Sequence, residues 1–176
     1  MRGTYGSGMN TLGLFHTVCA LVALGSGAAV LLRRKGTRGH RRIGRVYVGS
    51  MLMLNVTALM IYRLFGGFGP FHVAAVASLL TVVAGIVPAV RRKPANWVEH
   101  HYAWMTWSYV GLCAAGISEV ATRVPGFGFW WAVMIGTFAV IGIGATLIRR
   151  NKAAVVAPFL RRASTSAAPR PVKAEV

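Results

Sequence analysis

Five stretches of this chain run for about twenty residues with few or no charges, near Thr11–Leu32, Ile43–Phe65, Phe71–Val90, Val98–Ala121 and Phe127–Ile148. No other feature narrows the possible folds so far. A helix needs roughly 20 apolar residues to cross a bilayer, and backbone polar groups in hydrocarbon must be satisfied within the spanning element. The runs are continuous and show no alternation, so they predict helices and not the strands of a barrel. The expected fold is all-α, an integral membrane protein of five helices whose first four form a bundle. Within 176 residues this leaves room for one domain, residues 1–152. Residues 153–176, rich in Ala, Ser, Pro and Arg, read as a mostly disordered basic tail. The chain is 55% hydrophobic and only 13% charged, in keeping with that class.

The formal charge of +17 is distributed in a way that decides its meaning. Arg33–Arg45 holds seven Lys or Arg, Arg91–Lys93 holds three, and the chain from Arg149 onward holds seven. All of these fall on one side of the predicted spans, and only Arg2, Arg63 and Arg123 fall on the other. Basic loops stay in the cytoplasm. The expected topology is therefore a multi-pass bacterial inner-membrane protein with its N-terminus outside and its C-terminus in the cytoplasm. The basic residues would then face anionic lipid headgroups. A nucleic-acid partner is not expected, because no basic groove interleaved with stacking aromatics is present. The first apolar run is too long for the core of a cleavable leader, and it reads as a mature helix.

Four of the five runs carry a histidine at or near one end, and the four form two pairs by depth. His16 and His72 fall toward the outer side, His40 and His101 toward the inner side. Ionisable groups in membrane segments are expensive to insert and usually functional. Two imidazoles at one level on facing helices are the arrangement that holds a haem. The pattern thus predicts two b haems, with His16, His72, His40 and His101 as iron ligands. Small residues beside them, Ala20, Ala23 and Gly27 after His16 and Gly44 after His40, permit close helix packing or leave flat space for a macrocycle. Each histidine also has a plainer reading, as a solvated interfacial residue or a helix cap. Carboxylate chemistry has little to work with, since the chain holds no Asp and only Glu99, Glu119 and Glu175. Glu119 and Arg123 share a helix face and predict an i,i+4 ion pair that Arg63 could join. Asn55, the one amide deep in a span, reads as interhelical glue. Cys19 and Cys113 lie within spans and read as small buried residues. A zinc hydrolase would need converging ligands at a spacing that does not occur here.

The segments His40-Arg41-Arg42-Ile43-Gly44-Arg45-Val46-Tyr47 and His101-Tyr102-Ala103-Trp104-Met105 resemble the hallmark stretches of a bacterial membrane-protein family, domain of unknown function 2306. The resemblance spans roughly Leu12 to Arg123. It implies functional positions at His16, His40, His101 and Arg123, and it selects His101 over His100. A weaker similarity, of arrangement alone, is to two-haem transmembrane cytochromes b. The expected function is transmembrane electron transfer, with any enzymatic role that of an oxidoreductase or electron carrier. The alternative is a cofactor-free small transporter or membrane partner subunit, in either case open to homo-oligomer formation.

Overall fold

The computed structural model describes residues 11–62, 66–126 and 128–167. Arg63, Phe127 and residues 168–176 lie outside the described residues, as do the side chains beyond Arg161. Among the described residues the chain is all α, with α1 Thr11–Leu32, α2 Arg38–Met60, α3 Pro70–Arg91, α4 Trp97–Ala121 and α5 Phe129–Ala167. At about 1.5 Å per residue, the 22 residues of α1 cover the roughly 30 Å of hydrocarbon.

Local chemistry sets the helix starts. Thr37 caps α2, its hydroxyl accepting the His40 N–H at 3.2 Å. This cap starts α2 five residues before the expected span and draws His40 into its first turn. In α3, Pro70 takes the first position, where a missing N–H costs nothing. The His72 ring then reaches back and accepts the Gly69 N–H at 3.1 Å, the role a Glu or Gln takes in a capping box. Lys35 closes α1 by donating to the carbonyls of Val30, Leu31 and Arg33 at 3.1, 2.5 and 3.2 Å. Burial in that turn pushes its ammonium pKa down.

The helices α1, α2, α3 and α4 form a ring in which sequence neighbours pack side by side and α4 closes on α1. The fifth helix packs along α4. The surface of this assembly is apolar, with Leu21, Leu32, Leu80, Trp131, Phe138 and Ile143 all exposed. The interior holds Ser50, Asn55, Thr57, His72, Thr106 and Ser108 beside Ala23, Met51 and Val82. Large continuous apolar surface around a partly polar interior suits lipid and not water.

Two sequence expectations shift. Among the described residues four helices are long and apolar enough to cross a membrane, namely α1, α2, α3 and the Phe129–Arg161 part of α5. The 25-residue α4 has the length but carries Glu99, His100, His101, Ser108, Ser118 and Glu119. Its polarity is tolerated because α1, α3 and α5 all pack against it. Contacts at both ends, His101 with α3 and Ser118 with Val133 and Thr137 of α5, show that it runs the full height of the bundle. The second shift is at the tail. No break follows Lys152, and α5 continues helically to Ala167.

Candidate functional site

The described structure sorts the four histidines by the company each ring keeps. At the end of the bundle that carries the basic loops, α2 and α4 stand on opposite sides of the ring and run parallel in register. His40 faces His101, with ring centroids 6.4 Å apart and planes nearly perpendicular. Seven residues along each helix, the Tyr47 hydroxyl meets Ser108 Oγ at 2.8 Å. Two turns of helix return a side chain to the same face, so each pair predicts the other.

A hydrogen-bond partner fixes where an imidazole keeps its proton. His101 Nδ1 lies 2.8 Å from the Gly85 carbonyl. A carbonyl only accepts, so Nδ1 carries the hydrogen and Nε2 presents a bare lone pair. His40 Nδ1 is buried without a hydrogen-bond partner. An N–H held by a backbone carbonyl, with the other nitrogen free, is the habit of metal-binding histidines. Gly85 is required here because a β-carbon would sit 2.6 Å from Met105 Sδ and 3.2 Å from the Met105 backbone nitrogen. Pro88, three residues on, lacks an N–H and loosens the same turn of α3.

The opposite end differs. His16 Nδ1 lies 2.9 Å from Thr57 Oγ1. Thr57 spends its own hydrogen on the carbonyls of Met53 or Leu54, at 2.8 and 2.9 Å. It therefore accepts from His16, whose Nε2 is bare. His72 has the reverse arrangement. Its Nδ1 takes the Gly69 N–H, so its proton sits on Nε2, which is buried without a partner. The ring stacks on Tyr62 at 4.7 Å and lies 5.0 Å from Phe68. No ring contact between His16 and His72 is seen among the described residues: His16 is held by Thr57, and His72 by the Gly69 N–H and the Tyr62 and Phe68 rings.

The remaining candidates fall away from the core. Glu119 and Arg123 form the expected i,i+4 ion pair, but their side chains are 64% and 74% exposed. The pair borders a cavity of about 310 Å³ with Phe71, Ser118, Thr122 and Phe129. Arg63, expected to join it, lies outside the described residues. Asn55 is buried, yet its Nδ2 donates to the Met51 carbonyl of its own helix at 2.8 Å, so that bond does not join helices. Cys19 is buried and Cys113 partly so, and neither forms a disulfide.

A family model described as a predicted membrane protein, DUF2306, matches residues 13–157. The chain belongs to this family. No curated protein and no solved structure matches it, so the likeness of arrangement to two-haem cytochromes b has no structural match behind it. In this DUF2306 protein the His-Arg-x-x-Gly-Arg-x-Tyr stretch is the first two turns of the α2 face that looks across the ring. Its histidine meets His101 and its tyrosine meets Ser108. Tyr47 is the functional-region residue that the histidine pattern missed. Its spacing of seven from His40 was the signal.

Proposed function

We propose that this DUF2306 protein is a membrane electron carrier in which His40 and His101 hold a b-type haem iron at the basic end of the bundle. The observation behind this is the facing pair of imidazoles, His101 with a bare Nε2 and His40 with a buried, unpartnered Nδ1. The ring centroids stand 6.4 Å apart, near enough that one iron could take a nitrogen from each ring. When bound, the haem would supply one-electron chemistry. The chain's part is to set the ligand geometry, fix His101 through the Gly85 carbonyl and exclude water. A second haem between His16 and His72 would require His72 to release Gly69 and move its proton, so we propose the basic-end site as the principal one. We also place the basic end in the cytoplasm of a bacterial inner membrane, against anionic headgroups.

One observation favours a cofactor-free membrane subunit instead: Met105 packs into the space beside Gly85, where a macrocycle next to His101 would need room. The two are separated by a reduced-minus-oxidised absorbance spectrum of the detergent-purified protein supplied with haem. The carrier gives a b-type spectrum that His40→Ala and His101→Ala each abolish or shift. A featureless spectrum overturns the proposal.

A further inference from the structure

The helix α5 is far longer than a bilayer requires. About 20 residues cross the hydrocarbon, whereas α5 runs for 39. The surplus turns one face toward the basic end of the bundle. Lys152, Val156 and Phe159, at i, i+4 and i+7, share that face. Lys152 Nζ lies 3.3 Å from Glu99 Oε2, two residues before His101. The Phe159 ring lies over Gly36, four residues before His40, where an added methyl would meet it at 3.2 Å. Between them Val156 is 2% exposed. The other face, with Arg150 and Arg161, is exposed. Just inside the bundle, the Tyr102 hydroxyl donates to the Ile148 carbonyl at 3.3 Å.

We infer that the C-terminal half of α5 is a strap that closes the basic end of the bundle over His40 and His101 and sets how readily water-borne molecules reach their ring nitrogens. The span fits. Seven residues of helix cover about 10 Å, carrying the strap from Glu99, two residues before His101, to Gly36, four residues before His40. The grip is mainly apolar. Lys152 and Glu99 are partly solvated and screened, whereas Val156 is buried and Phe159 half-buried. A segment gripped along one face opens more easily than the bundle does. The inference rests on His40 and His101 being the functional site, and not on what occupies it.

The test is carbethoxylation with diethyl pyrocarbonate, which attacks a neutral imidazole at its bare nitrogen, read residue by residue by mass spectrometry on the purified full chain without haem. The exposed His100 serves as the fast internal standard and His16, at the opposite end, as the control for general loosening. In the wild type, His40 and His101 should react more slowly than His100. Phe159→Ala should raise both rates on the order of tenfold, the scale of a lost half-buried phenyl contact, with His16 unchanged. Glu99→Gln, a milder change at the other anchor, should raise them less. Unchanged rates at His40 and His101 in both variants overturn the strap, and so does an equal rise at His16. Because no haem is present, a positive result stands even if the absorbance experiment fails, and a haem spectrum with unchanged rates removes the strap alone.

Discussion

The Tyr47–Ser108 contact allows a prediction whose sign depends on which partner is removed. Ser108 Oγ donates to the Met105 carbonyl at 2.8 Å, so in the 2.8 Å contact between α2 and α4 the Tyr47 hydroxyl is the donor. In Tyr47→Phe, Ser108 keeps Met105 and no polar atom is stranded. The cost is one hydrogen bond between membrane helices, about 0.6 kcal/mol and at most near 1.7. In Ser108→Ala the Tyr47 hydroxyl stays in a site where the residue is 2% exposed, without its acceptor. An unsatisfied buried donor costs about 1–3 kcal/mol. Serine at 108 should therefore be worth more than the hydroxyl at 47, although both serve the same bond.

The double variant sharpens this. Once Tyr47 is Phe, removing the Ser108 hydroxyl strands nothing, so Tyr47→Phe/Ser108→Ala should be more stable than Ser108→Ala alone. The coupling is of order 1 kcal/mol, the range found for residues that share a hydrogen bond. Equilibrium unfolding in mixed micelles with increasing dodecyl sulfate, followed by circular dichroism, measures all four proteins. If Tyr47→Phe costs as much as Ser108→Ala, or if the two effects simply add, the donor assignment and the in-register pairing of α2 with α4 are both wrong.

Gly27→Ala should destabilise by about 1–3 kcal/mol, since its β-carbon would overlap the Tyr109 and Tyr47 rings; the same unfolding assay reads it, and a neutral result removes the α1 approach. Glu119→Gln should cost no more than roughly 0.5 kcal/mol because the pair with Arg123 is mostly solvated; a loss above 2 kcal/mol would show a buried role. His72→Ala and His100→Ala should leave any haem spectrum unchanged while His40→Ala and His101→Ala remove it, and equal loss from His72→Ala would restore the two-site pattern. A reporter fused after Val176 should be active in the cytoplasm, and a periplasmic signal there would reverse the sides.

What the sequence revealed and what it hid divide along physical lines. The helices were legible because hydrocarbon demands a length and a composition that show in any window of the chain, and α1 falls at the expected residues. The α2 boundary was missed because Thr37 looks like one more polar residue in a basic loop until its hydroxyl is seen to cap. The facing of His40 and His101 was legible from depth, because parallel helices in register keep equal heights. For His72 depth says nothing of the ring's partner: the Gly69 N–H, three residues back, donates to its Nδ1.

The polarity of α4 and the placement of the imidazole protons point to the same conclusion about the two ends of the bundle. A helix with two carboxylates and two adjacent histidines is a poor choice for contact with lipid, yet this one has three helical neighbours. Its cost is acceptable where its polar groups have partners: Ser108 has Tyr47, Ser118 has Thr137, and His101 has Gly85. At the basic end they leave the His101 Nε2 bare and the His40 Nδ1 buried without a partner, with the two rings 6.4 Å apart. At the opposite end the bare nitrogen of His16 and the N–H of His72 are held apart by separate partners on α2 and α3. An imidazole whose N–H is held by a backbone carbonyl keeps its other nitrogen free for an electron-pair acceptor, and at the basic end a second ring stands near it, which is why the site is proposed there.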